Sequence, residues 1–222
     1  MVLALSMVGE EHYPLWSRDG KRITYRSVGP ASDSYEVPAD GSAPPKVLLK
    51  GDLDAGPVDW CPDGRLIIQV VSEQHPYPSL AIYSPSDHKV EQFATRGVEA
   101  KLSTDGKWIA YVAGGIVVQS FPGGSMKVQV SNSGAQPRWS HDGRQIYFIQ
   151  PDRKLMVANF DPKTGTASAP RALFQTRITA VSIASWQYAV APNGRFLINS
   201  LPSNTTAPLT LLTGWNVSLQ RH

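Results

Sequence analysis

The chain has 222 residues, 41% of them hydrophobic and 18% charged, which suffices for one sizeable core and places it among globular proteins. Its 21 basic and 18 acidic side chains leave a formal charge of +3, without the single-sign field that phosphate backbones demand, so no nucleic-acid partner is implied. A single cysteine, Cys61, excludes an internal disulfide framework and any multi-cysteine metal site.

No apolar run approaches the roughly 20 residues of a spanning helix, so membrane insertion is not expected. The first apolar run, Val2 to Ser6, has no basic residue before it and no clear cleavage site after it, and reads as a strand rather than a signal peptide. One phrase then occurs five times: Pro14 to Ile23 (PLWSRDGKRI), Val58 to Ile67 (VDWCPDGRLI), Ala100 to Ile109 (AKLSTDGKWI), Pro137 to Ile146 (PRWSHDGRQI) and Tyr188 to Leu197 (YAVAPNGRFL). The Asp or Asn before each glycine falls at 19, 63, 105, 142 and 193, giving spacings of 44, 42, 37 and 51. These are close to the roughly 40 to 50 residues of a four-stranded propeller blade.

Asp-Gly and Asn-Gly accept the positive φ of a hairpin turn, and the apolar residues on either side supply two strands. A third run follows each hairpin, at Ser34 to Val37, Leu80 to Tyr83, Ile116 to Gln119, Leu155 to Ala158 and Leu209 to Leu212. A fourth follows in four units, at Lys46 to Leu49, Val90 to Phe93, Val128 to Val130 and Arg171 to Phe174. The sequence therefore predicts one all-β domain over 1–222, a β-propeller of five four-stranded blades at about 11–50, 57–97, 98–134, 135–178 and 186–215. Strand 2–6 is expected to complete the last blade and close the ring, because an open stack would leave two unpaired edges. A ring closed by its own strand makes a monomer, and exchange of that strand between two copies makes a dimer; these are the two expected states.

The phrase Trp-Ser-x-Asp-Gly-Lys/Arg-x-Ile resembles the repeat of TolB-like propellers, which is distantly similar to the WD-type repeat. The stretch from Thr104 to Val112, through Val118 to Gly124 and Gln136 to Ser140, to Lys154 to Met156, looks like the C-terminal propeller part of large bacterial kinase- or regulator-associated proteins. The ending Ala207 to Asn216 is similar to the usual terminus of that group. The resemblance implies a sensor or docking module, on the extracytoplasmic, periplasmic side in bacteria. It does not carry kinase activity, since neither a glycine-rich phosphate loop nor a His-Arg-Asp triplet occurs. Those propellers typically have six or more blades, so five repeats suggest a fragment of a longer parent.

Propellers bind at the channel mouth, where loops entering the innermost strands meet those joining strands two and three. That rule singles out His12, Asp54, Glu99, Gln136 and Trp186 as ligand-binding residues, for a protein segment or a small molecule. It also gathers Glu11, His12, Asp59 and His75, with Asp54 and Glu99, as oxygen and imidazole donors for a divalent cation such as calcium. Such a cation would permit an alternative function, metal-assisted hydrolysis of an ester, lactone, phosphotriester or glycoside. Against that stands a plainer expectation: the loop carboxylates are solvated, and Asp59, Lys101 and Arg138, each one residue before the third position of its phrase, pair across the channel. No catalytic residue is assigned and no cofactor is required. Trp16, Trp60 and Trp139 share one register and are expected to pack between blades, whereas Trp186 precedes its phrase and is expected to be an exposed aromatic contact.

Overall fold

A computed structural model describes residues 10–28, 32–51, 54–71, 77–179 and 186–201. Strand 2–6, His75 and the run 209–212 lie outside these. The described residues contain nineteen strands and no α-helix. The first unit comprises β1 (Glu10–Trp16), β2 (Arg22–Val28), β3 (Ser34–Pro38) and β4 (Lys46–Leu49). The second comprises β5 (Ala55–Trp60), β6 (Leu66–Val70), β7 (Ser79–Ser84) and β8 (Lys89–Ala94). The third comprises β9 (Val98–Leu102), β10 (Trp108–Val112), β11 (Ile116–Ser120) and β12 (Lys127–Ser131). In the fourth, β13 (Ala135–Trp139), β14 (Gln145–Ile149) and β15 (Lys154–Asp161) are joined by β17 (Arg171–Gln175), with the two-residue β16 (Thr166–Ala167) beside β15. The hairpin of β18 (Tyr188–Val190) and β19 (Phe196–Ile198) begins the fifth unit. All pairings are antiparallel, and the first four units are meanders that agree with the runs predicted above.

The turn phrase works through its Ser and Asp. In the first unit Gly20, at φ 68°, donates its N–H to the Ser17 carbonyl at 2.9 Å. Asp19 accepts the Ser17 hydroxyl at 2.6 Å and the Lys21 N–H at 3.1 Å. The same Ser-to-Asp bond recurs at 2.6 Å in Ser103–Asp105 and in Ser140–Asp142. The hydroxyl bond from Ser17 is the main force holding the Asp19 carboxyl below the usual carboxylate range. In the second unit Cys61 occupies the serine position, and Asp63 instead takes the Arg65 guanidinium.

The second, third and fourth sheets are covered on both faces, which is why their central strands read as unbroken apolar runs. Leu66, Ile67 and Ile68 are all buried, but Ile67 packs with the third unit and its two neighbours with the first. Four cores result, one between each successive pair of units. Burial of one such Leu or Ile stabilises by about 1.5–3 kcal/mol. The innermost strands contact in the order β1, β5, β9, β13, β18. Among the described residues no fifth core joins β18 and β19 to β1.

That difference is visible in the tryptophans. Trp60 is 4% exposed and donates its indole N–H to Thr24 of the preceding unit; Trp139 is 9% exposed and donates to the Lys101 carbonyl of its preceding unit. Trp16, expected in the same interblade role, is 59% exposed. Among the described residues it joins no core with the fifth unit.

Candidate functional site in the seam between the first and fifth units

The innermost strands are not regular. The register slips in each of the first four units, between His12 and Leu15, between Pro57 and Asp59, opposite Ala110 and Val112, and between Ala135 and Arg138. Tyr13, Glu99 and Gln136, each six residues before the turn Asp, sit at φ 58°, 55° and 57°. A bulge with a left-handed residue re-aims the side chains around it and costs on the order of 1 kcal/mol or more, so something must fix it.

For Glu99 and Gln136 that something is a latch. The Glu99 carboxylate, only 4% exposed, accepts the Gln136 backbone N–H at 2.7 Å. The Gln136 side-chain carbonyl accepts the Gln187 N–H at 2.9 Å. Each side chain thus satisfies a buried amide at the equivalent position of the next unit. Position 57 is a proline without an N–H, so the preceding unit can place the aromatic Tyr13 where an acceptor would otherwise be needed. Burial pushes the Glu99 carboxyl up to about 7, against the Gln136 amide and the nearby Arg138 charge.

Four residues before the turn Asp come Asp59, Lys101 and Arg138. Asp59 lies 3.6 Å from the Lys101 ammonium and accepts the Leu102 N–H at 2.8 Å and the Trp60 N–H at 3.0 Å. Lys101 also donates to the Val58 carbonyl. Burial pulls the Lys101 ammonium down to about 8, with Asp59 opposing. Arg138 forms no ion pair among the described residues. Its guanidinium carbon lies 3.6 Å from the centre of the Trp186 ring, and its Nη1 is buried without a hydrogen-bond partner. Of the three groups expected to pair across the channel, Asp59 and Lys101 do so, and Arg138 stacks.

Lys101 and Arg138 form one end of a cavity of about 630 Å³. One wall is β1, from His12 to Trp16; the other is the fifth unit, with Trp186 to Ala189, Leu197 and Asn199; Pro57 and Val58 complete it. Leu197 is 77% exposed. Among the described residues the lining holds two basic side chains, Lys101 and Arg138, beside His12, and no carboxylate.

The expected ligand residues are therefore divided. His12 and Trp186 line the cavity together, Trp186 half-buried beneath Arg138 rather than standing free as an exposed aromatic. Glu99 and Gln136 are buried in the latch, and Asp54 lies at the rim of the first two units in contact with Arg26. Glu11 stands in β1 opposite Ser27. Asp59 is engaged by Lys101 and two amides. His75 lies outside the described residues. Among the described residues no three His, Cys, Asp or Glu side chains converge as a metal-binding group. Cys61 is buried, which pushes its thiol up to about 12 and keeps it protonated.

Tyr13, Leu15, Trp16, Tyr188 and Leu197 are cavity residues that the channel-mouth rule did not single out. Trp16 carries the sequence signal of the repeat core, and among the described residues no core on the fifth unit receives it; Leu15 lines the cavity while also packing against the core between the first two units.

No protein-family model matches the sequence, and no curated protein does. Among solved structures the chain is similar to TolB from Acinetobacter baumannii, with TM-score 0.65, 22% identity, and coverage of 86% of this chain and 48% of that one. It is similar to an auxiliary nutrient binding protein from Bacteroides thetaiotaomicron, with TM-score 0.56, 12% identity, and coverage of 84% and 46%. A periplasmic gluconolactonase from Pseudomonas aeruginosa gives TM-score 0.50, 20% identity, and coverage of 84% and 62%. These likenesses show a TolB-like β-propeller fold, and the chain spans about half the length of TolB.

Proposed function

We propose that this chain is a ligand-binding propeller module whose site is the cavity between the first and fifth units, taking a small molecule or a segment of a protein. The observation that carries the reading is the cavity itself: about 630 Å³, walled by Trp16, Trp186, Tyr13, Tyr188 and Leu197, with a few polar groups converging at one end. Binding pockets combine those features. Similarity to a binding protein and to a lactonase speaks for the scaffold and leaves function to the site. Of the residues on which the hydrolase alternative draws, Glu11, His12, Asp54, Asp59, His75 and Glu99, three are occupied: Glu99 by the Gln136 amide, Asp54 by Arg26 and Asp59 by Lys101; that occupation favours the binding reading.

The five-bladed ring, with strand 2–6 beside 209–212 in the last blade, is part of the same proposal, as is a place on the periplasmic side. The kinase- or regulator-associated parent rests on the sequence resemblance. Ring closure is checked by removing residues 1–8, which should lower the unfolding midpoint or promote association; an unchanged midpoint contradicts it.

The site is tested by titrating the ¹⁵N-labelled chain with a fragment library of neutral, anionic and cationic aromatics. Binding should shift the indole N–H signals of Trp16 and Trp186 and spare Trp60 and Trp139. Hits that move only the latter pair, or no indole, would overturn the assignment.

A further inference from the structure

Resting on the cavity as the binding site, its chemistry narrows the ligand. Every charged lining group among the described residues is a cation, and one of them, Arg138, has a buried Nη1 with no hydrogen-bond partner. A guanidinium cannot shed its proton to escape that state, and it presents its donors as a planar fork. A buried, unmet donor is costly, more so when charged. The acid beside it on β5, Asp59, is engaged by Lys101 and two backbone amides, and the acid on β9, Glu99, by the Gln136 amide. Beyond this basic end the walls are apolar and aromatic: Leu15 and Trp16 on one side, Tyr188 and Leu197 on the other.

We propose that the cavity takes an organic carboxylate with an apolar or aromatic body, the carboxylate held by Arg138 with Lys101 beside it and the body lying between Trp16 and Leu197. A carboxylate matches the guanidinium fork with two parallel N–H donors. A cationic ligand would meet two like charges, and a neutral acceptor would offer the fork a weaker, uncharged hydrogen bond. Because Nη1 lies beneath the surface and the Trp186 ring covers the guanidinium, the carboxylate reaches it by parting Arg138 from the indole. Trp186 is therefore the reporter as well as a wall.

The test uses three probes of one shape, 4-phenylbutyrate, 4-phenylbutyramide and 4-phenylbutylamine, titrated into the full chain by calorimetry and followed at the Trp16 and Trp186 indole signals. The acid should bind about tenfold tighter than the amide, and the amine weakest. Arg138→Gln should erase the preference of acid over amide, Arg138→Lys should retain part of it, and Trp16→Ala should weaken acid and amide alike. A dipeptide ending in a free phenylalanine carboxylate, compared with its amide, separates the sources: discrimination there as well assigns the site to peptide termini, whereas exclusion of both assigns it to small acids. Equal binding of acid and amide, or tighter binding of the amine, at shifted Trp16 and Trp186 signals would overturn the carboxylate and leave the cavity standing as the site. If no probe moves either indole, the site reading falls and this inference with it. Should Arg138→Gln fail to fold, the wild-type ranking and Arg138→Lys still decide.

Discussion

Two interfaces built from the same repeat position behave oppositely. Between the third and fourth units Trp139 is buried against Trp108, Phe160 and the Lys101 carbonyl, and the Glu99 latch joins the innermost strands. Where the first unit faces the fifth, Trp16 is exposed and lines a cavity to which all five innermost strands contribute, and among the described residues no core joins these two units. The side chain is the same and its register is the same. What a repeat residue does is set by the unit that faces it, so an interface left without a core becomes available for a ligand.

The largest effect expected from this contrast is on stability. Trp139→Ala removes a packed indole and its hydrogen bond and should cost about 3–5 kcal/mol, measured by urea unfolding. Trp16→Ala should cost less than about 1 kcal/mol in the same experiment. Equal costs would mean that the seam is packed like the other interfaces.

Next comes the latch. The Glu99 carboxyl is raised in the folded chain to about 7, above its unfolded value, so its contribution is fully present below the unfolded value of about 4.3 and is lost as pH rises through about 7. Glu99→Gln keeps an acceptor for the Gln136 N–H, as Gln136 itself does for Gln187. It should flatten the stability profile between about pH 4.5 and 7 and gain on the order of 1–3 kcal/mol over wild type at pH 8. Denaturation midpoints at a series of pH values check this; a profile as steep as wild type would remove Glu99 from the latch.

A smaller effect is expected on binding. Arg138 is faced by Asp59 from β5, Glu99 and Lys101 from β9 and Tyr188 from β18, with His12 on the β1 wall. As pH rises, Glu99 gains negative charge near about 7 and Lys101 loses positive charge near about 8. Both changes weaken the field that draws a carboxylate, so affinity for 4-phenylbutyrate should fall severalfold from pH 6 to pH 9. Calorimetry in Glu99→Gln should show the loss confined to the upper part of that range. Smallest of all, His141→Ala, on the turn face, should leave affinity unchanged.

The contrast also marks where sequence reading reached its limit. Strand runs such as Lys46–Leu49 were legible because they are bounded by turns, and the Asp-Gly phrase announces its hairpin through chemistry local to six residues. Lys101 and Asp59 were legible as a pair from equal register alone. Glu99 and Gln136 read as mouth ligands because polar residues opening a strand resemble loop residues; nothing local reveals a bulge that turns them onto the next unit's amide. Trp16 was indistinguishable from Trp60, since burial depends on a neighbour some 180 residues away along the chain.

The most direct measurement is a crystal structure of the chain grown with 4-phenylbutyrate. The phenyl ring should lie between Trp16 and Leu197, the carboxylate within hydrogen-bond distance of the Arg138 guanidinium, and the Trp186 ring displaced from it. A cavity closed by protein atoms, or the acid bound elsewhere with Arg138 and Trp186 still stacked, would contradict that placement.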